Sequence, residues 1–390
     1  MDLNELRKAV GETQADRFST LLDKKMGHKR QDKFRGCLIG GAAGDALGYA
    51  VEFWDEGEIF ARFGKPGITE YLLTQGSGLI SDDTQMTLFT ANGLIYDRVK
   101  AIGSPVGCVA QAYAEWYLTQ FKNYPAKAKH QITWLLNDPR LYARRAPGNT
   151  CLSAIHGKCE GTVEMPINDS KGCGGVMRVA PVGLFYGESN LPGMTIDLMA
   201  ADIAALTHGH PMGFIPAAML AHIVRLVSHS DEISLKDAVL DSMTACREIF
   251  ADFPYYVDTY LKLIEKAIVL SEGKLEDLDA IHILGEGWCG DEALAIAIYC
   301  ALKYADDFEK AVVASVNHRG DSDSTGAITG NILGAYLGLA AIPQKYVKNL
   351  ELLDVISQIA DDLYFGSAND ETALTEEADG TWKRKYTDLT

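Results

Sequence analysis

With 390 residues, 47% of them hydrophobic and 23% charged, the chain has the apolar content for a packed core and is not a disordered polymer. Its 36 basic and 53 acidic side chains leave a net charge of -17, which excludes the overall footprint of a nucleic-acid binder and disfavours anionic membranes. The eight cysteines include no C-x-x-C pair, so they suit buried thiols in a reducing compartment better than a zinc ribbon or a thioredoxin-like site.

In chain order, residues 1–33 stand apart as a charged extension. The sets Leu3, Leu6, Val10 and Phe18, Leu21, Leu22 predict one or two short amphipathic helices. The run KKMGHKRQDK (24–33) reads as a polar connector. The extension is either a surface-docked leader or a partner-binding arm. The opening MDLNELRKAVGETQADR lacks the apolar core of a signal peptide, so a cytoplasmic location is expected.

A chain of this length has room for two or three average domains. No linker interrupts residues 34–365, however, and stretches such as MAADIAALTH (199–208) and EALAIAIYCALKYA (292–305) predict one large all-α domain. One short strand is expected around Ile68–Leu73, and no solenoid repeat is evident. Residues 366–390 are expected to form a polar, mobile tail.

Two segments carry glycines four residues apart: 36, 40, 44 and 48, then 326, 330, 334 and 338. Spacing of four places each set along one helical face. Each internal glycine costs roughly 1 kcal/mol relative to alanine, so the stripes make sense where another backbone approaches closely. The uncharged run from Thr325 to Ile342 also raises a membrane span. Asn331 and an Asp-rich entry favour a central helix of a soluble bundle, with both stripes deep in one core.

Acidic residues adjoin both stripes. Asp45 lies on the first helix and Glu52 follows it; RGDSDSTG, with Asp321, Asp323 and Ser324, precedes the second. A third set, Ser81, Asp82, Asp83 and Thr84, opens the apolar helix MTLFTANGLI. Either cluster alone would serve as a helix cap. Together, about 240 residues apart, they offer hard oxygen donors for two divalent cations, Mg²⁺ or Mn²⁺. Neither contains Cys or His, which disfavours zinc. Among the loops, APGNT (146–150) turns into a helix, and the glycine-rich DSKGCGGVMRVAP (169–181) is a phosphate cradle or an ordinary turn. His208 and His210 in THGHP sit at a helix end or at a ligand. Trp288 in GEGWCGDEA stacks on a base or ribose, or plugs the core.

FRGCLIGGAAGDALGYAVE, SDDTQMT, RAPGNT, KGCGGVMRVAP, THGHP and NHRGDSDSTGAITGNILGA, in this order, resemble the ADP-ribosylglycohydrolases over roughly residues 34–345. The resemblance implies a single orthogonal all-α domain with a central two-metal site and hydrolysis of the bond between ADP-ribose and a protein side chain. It implies Ser81, Asp82, Asp83, Asp321, Asp323 and Ser324 as metal ligands, with serine at 81 and 324 where many members have threonine. Glu52 and Asp83 become the catalytic candidates. Gly148, Asn149, Thr150, Gly172, Cys173, Gly174, Gly175, Val176, Met177 and His208 become ADP-ribose contacts, joined by Trp288. The expected partner is an ADP-ribosylated protein, modified on arginine by bacterial analogy. Some bacterial members are immunity proteins whose extension plugs an ADP-ribosyltransferase toxin, a role residues 1–33 would suit. Two readings compete with the hydrolase: a toxin- or ADP-ribose-binding protein with little catalysis, and a two-metal hydrolase of another nucleotide derivative.

Overall fold

The computed structural model describes residues 12–367 and 381–389, with side chains from 28 onward. In chain order the helices are α1 (Glu12–Gly48), α2 (Glu56–Phe63), α3 (Asp82–Lys100), α4 (Pro105–Phe121), α5 (Asn149–His156), α6 (Ala180–Tyr186), α7 (Gly193–Ala205), α8 (Pro211–His229) and α9 (Leu235–Ile249). They continue as α10 (Pro254–Ser271), α11 (Asp277–Leu284), α12 (Gly290–Lys303), α13 (Phe308–Val316), α14 (Ser322–Leu337), α15 (Gln344–Lys348), α16 (Leu353–Ser367) and α17 (Thr381–Thr387). Among the described residues β structure is confined to isolated bridges, so the fold is all-α as expected. The anticipated strand at Ile68–Leu73 does not form. The Asn317 side chain takes the place of a strand partner, accepting from Ile68 N at 2.7 Å and donating to Ile68 O at 3.0 Å.

Local chemistry sets many of the helix ends. Ser81 caps α3 with its hydroxyl, Asp82 and Asp83 fill the first turn, and Arg98 and Lys100 close the last, each charge matching the helix dipole. Asp55 and Glu58 form a capping box on α2. Asp321 caps α14 by accepting the Ser324 N–H.

The glycine stripes meet as anticipated. Helices α1 and α14 run antiparallel in direct backbone contact: Gly36 lies against Gly334, Gly40 against Gly330, Gly44 against Gly326, and Gly48 against Ser322. A β-carbon on any of these glycines would drive into the facing backbone carbonyl. Asn331 locks the register by donating to Cys37 O at 2.9 Å. Around this seam pack α3, α8, α12, α13 and α16. Helix α8 is the one described helix long and apolar enough to cross a membrane, and 83% of its apolar window is buried inside the protein.

Both ends of the chain differ from expectation. The run 24–33 is not a connector: α1 passes through it unbroken. Lys33 donates to Val227 O and Ser230 O at 2.8 and 2.9 Å and pairs with Asp231, Arg35 forks onto Asp361, and Arg30 pairs with Glu188. Polar residues there serve ion pairs with the domain surface, which composition alone reads as solvent exposure. The set Leu3, Leu6, Val10 lies outside the described residues. The C-terminal stretch is likewise docked where it is described. Trp382 and Tyr386 of α17 are buried, and Tyr386 donates to Asp362 at 2.8 Å.

Candidate active site and metal centre

The last rung of the seam delivers the acidic clusters to one place. Past Gly48, the turn out of α1 carries Glu52; beside it, the start of α14 carries Asp321, Asp323 and Ser324. Carboxylate oxygens of Glu52, Asp321 and Asp323 all lie within 4.8 Å of one another. The Asp321 and Asp323 carboxylates both accept the Ser324 N–H, at 3.2 and 2.9 Å. The third cluster is brought in by Asp45. This buried carboxylate accepts Ser81 N at 3.0 Å, Thr84 N at 3.1 Å and the Thr84 hydroxyl, so it holds the first turn of α3 against α1.

The electrostatics follow from burial and crowding. Burial, then the neighbouring carboxylates Asp321, Asp82 and Asp45, push the Glu52 carboxyl up to about 8. Asp82, Asp83 and Asp323 are pushed well above the usual carboxylate range by burial first, and then by nearby carboxylates: Asp45 and Asp321 for Asp82, Asp45, Asp82 and Asp321 for Asp83, and Asp83, Asp321 and Glu52 for Asp323. Glu52 Oε2 and Asp83 Oδ2 are buried and take part in no hydrogen bond. Unpaired buried carboxylate oxygens in a purely oxygen donor set fit hard divalent cations, whose charge relieves this repulsion.

The loops expected to carry ligand contacts gather around this cluster. Gly148 N approaches Asp82 Oδ2 at 3.4 Å, and Asp82 N donates to Arg145 O at 3.0 Å. Thr150 and Ser170 hydroxyls lie 3.2 Å apart, joining the 146–150 turn to the glycine loop. Cys173 N donates to Trp288 O at 3.1 Å, and Gly290 N to Lys171 O at 2.9 Å, which pins the glycine loop to the 285–290 segment. Gly148 and Asn149 are exposed at the start of α5, where no side chain caps the helix.

Four expected contacts sit differently from the sequence reading. Val176 and Met177 are buried, because the chain dives from the loop into the core ahead of α6. The loop therefore offers mainly the backbone of 172–175. The Cys173 thiol faces the acidic cluster, at 2.7 Å from Asp321 Oδ2 and 3.5 Å from Ser324 Oγ. His208 is 2% exposed and lies under the loop, where β-carbons on Gly172 and Gly174 would meet its ring. Burial and then Arg178 push His208 down to about 3, so the ring is neutral and acts as a floor for the loop.

Other residues carry weight that the sequence reading missed. Arg178 is fully buried behind the loop, held by Thr207 Oγ1 at 2.6 Å, Ile203 O at 3.3 Å and the Tyr113 ring at 4.5 Å. Arginine following a methionine in an apolar run was its only signal. Phe53, next to Glu52, is 71% exposed and stacks with Trp288, itself 40% exposed, at 6.4 Å between ring centroids. A separate cavity of about 740 Å³, lined by Phe60, Lys65, Asp277 and Lys310 among others, shares no residue with the acidic cluster.

An all-α scaffold whose central helix pair brings Asp321 and Asp323 to Glu52, with the Asp82–Asp83 turn of α3 held against α1 by Asp45, defines the class. The ADP-ribosylglycohydrolase family model matches residues 26–372, and the chain belongs to that family. It is 27% identical to the ADP-ribosyl-[dinitrogen reductase] glycohydrolase of Rhodospirillum rubrum, covering 82% of this chain and 91% of that one. It is 24% identical to the ADP-ribosylhydrolase ARH3 of Homo sapiens, covering 85% and 93%. A solved structure described as an ADP-ribosylglycohydrolase-related protein complex shares the fold, with a TM-score of 0.56, 24% identity, and coverage of 87% of this chain and all of that one.

Proposed function

We propose that the chain is a metal-dependent hydrolase that removes ADP-ribose from modified protein side chains, with arginine as the linked residue. The observation that carries this reading is the buried Glu52–Asp321–Asp323 cluster, with the Ser81–Asp82–Asp83 turn tied to α1 by Asp45 and with Glu52 Oε2 and Asp83 Oδ2 unpaired. Relatives named as ADP-ribosyl hydrolases along most of the chain support it.

The two aspartate–serine sets would hold two divalent cations, Mg²⁺ or Mn²⁺. Such ions, when bound, supply Lewis acidity toward ribose hydroxyls and lower the pKa of a water. The chain's own groups do the rest. Backbone amides of 172–175 and the uncapped start of α5 receive the pyrophosphate, which a protein of charge -17 would otherwise repel. As the C1″–N bond breaks, oxocarbenium character builds on the sugar, and the surrounding carboxylates stabilise it. Water adds to C1″. The departing nitrogen gains a proton and the water loses one, and Glu52 and Asp83 are the carboxylates that would carry these transfers.

The test is ADP-ribose release from arginine-, serine- and DNA-linked substrates under metal titration. Release from the arginine-linked protein alone supports the full reading. Binding without release turns the chain into an ADP-ribose-binding module.

The extension is proposed to engage an ADP-ribosyltransferase toxin, in the cytoplasm. Two facts support the arm's independence from the hydrolase site. Helix α1 is 37 residues long, roughly 55 Å at the helical rise, and the Glu52–Asp321–Asp323 cluster lies past its C-terminal end. Residues 29–33 belong with the domain through their ion pairs, so the informative truncation starts at 28. Equal toxin capture by full-length and truncated chains removes the arm from the interface.

A further inference from the structure

We infer that Phe53 and Trp288 form the shelf that receives the departing side chain and selects a planar cation, a guanidinium. This rests on the hydrolase reading above and names the feature that makes it arginine-specific.

Both rings are large, apolar and exposed, yet their planes lie 21° apart. Phe53 follows Glu52 directly, so its Cα lies about 3.8 Å from that of the glutamate that faces Asp321 and Asp323. Trp288 is held through its carbonyl by Cys173 N, and the preceding Gly287 N donates to Glu292 at 3.2 Å. Gly287 adopts φ +83 and packs against Thr325 of α14, a position that excludes a side chain. The pair therefore bridges from the glutamate to the glycine loop, at the edge of the acidic cluster.

Two features of that location select the ligand. Aromatic faces attract cations, so the exposed faces of the two rings favour a positively charged group. Distance to the scissile bond decides between the two ends of the substrate. The adenine is separated from C1″ by two phosphates and a second ribose, whereas the linked side chain begins at C1″ itself. A shelf one residue from Glu52 meets the side chain. A guanidinium is flat, cationic and stacks on indole and phenyl faces, whereas a serine linkage offers neither plane nor charge.

The experiment uses full-length chain with Mg²⁺, comparing wild type with Phe53→Ala, Trp288→Ala and Trp288→Phe. Steady-state kinetics are measured on an arginine-ADP-ribosylated peptide, and affinity for free ADP-ribose by calorimetry. Each alanine variant is expected to lower kcat/KM on the peptide roughly tenfold, within the range of a cation–π contact, while the ADP-ribose Kd stays within about twofold. Trp288→Phe is expected to retain most of the wild-type value. A parallel loss of ADP-ribose affinity assigns the rings to the adenosine end and overturns the inference, as does an unchanged peptide kcat/KM. If wild type releases nothing, the hydrolase reading fails separately. The uncleaved peptide then reads the shelf through its Kd relative to ADP-ribose, and equal losses of both in the alanine variants reject it.

Discussion

Helices α1 and α14 build two regions of opposite character. From Gly36 and Gly334 to Gly44 and Gly326 they form a seam of backbone against backbone, with no charge and no room. Past the last rung, at Gly48 and Ser322, the same helices open into the most crowded set of buried carboxylates described in the molecule. The seam gains stability from dispersion and close packing; the mouth loses it by burying like charges. A site that would repel itself apart is thus held by the stiffest contact available, and the two regions should respond to substitution with opposite signs.

The largest effect is expected in the seam. Gly330→Val places a branched side chain against Gly40 O, where backbone on both sides leaves nothing to move aside. Overpacking of this kind costs on the order of 3 kcal/mol or more, and soluble, cooperatively melting protein is expected to be lost. A Gly330→Val chain that melts near the wild-type temperature would mean that the seam is looser than described, and the comparison would break.

Next comes activity at the mouth. Asp321→Ala with Asp323→Ala is expected to reduce ADP-ribose release to below about one thousandth, as loss of a ligand set at a two-metal centre would. Asp323→Ala alone reads the stability sign, because Asp321 also caps α14 whereas Asp323 leaves that cap in place. Without metal its melting temperature should equal or exceed that of wild type. A fall of several degrees would place Asp323 with the seam.

The third effect is a pH dependence with a fixed sign. A carboxyl whose folded pKa is raised binds more protons folded than unfolded, so stability is present at low pH and is lost as pH rises through the folded value. For Glu52 that window runs from its ordinary value near 4.5 to about 8, and Asp82, Asp83 and Asp323 act in the same direction. Metal-free protein should therefore melt at progressively lower temperature from pH 5 to pH 8. Mg²⁺ at 100 times its Kd adds about 2.7 kcal/mol. Its binding also displaces protons and so tightens with pH, and at one fixed Mg²⁺ concentration the rise in Tm should be larger at pH 8 than at pH 6. A Tm indifferent to Mg²⁺ at both values would remove the metal from the account.

The seam was legible because period four is a property of one strand of sequence, and glycine has few other reasons to recur at that spacing. The Ser-Asp and Asp-Ser clusters were legible as chemistry, though their meeting across about 240 residues was not. Asp45 was visible as an acid, but not as the residue that accepts three hydrogen bonds from the other cluster. Phe53 left no trace, since its partner Trp288 is joined to it only by the fold. At the C-terminus, Trp382 and Tyr386 at i and i+4 were a signal for a docked helix, outweighed by the polar residues around them.

The smallest effect concerns the residue that joins the two regions. Asp45 lies between Gly44 and Gly48 on α1, yet its carboxylate sets the first turn of α3. Burial pushes it up to about 6 even though Ser81 and Thr84 donate to it, so ionising it is only mildly favoured at neutral pH. Asp45→Asn removes the buried charge, and its amide oxygen in the Oδ2 place still accepts from Ser81 N, Thr84 N and the Thr84 hydroxyl, but the amide nitrogen then sets a second donor against the Ser81 N–H. The two changes oppose each other, and a net stability change within about 1 kcal/mol is expected, or roughly 2 °C in Tm. Position should suffer more than stability. A shifted start of α3 moves Asp82 and Asp83 relative to Asp321 and Asp323, and small misplacements of this kind reduce turnover about tenfold or more. Undiminished kcat/KM in Asp45→Asn would show that the second cluster is placed without α1. Collapse of the fold would show instead that Asp45 belongs to the seam rather than to the joint between seam and mouth.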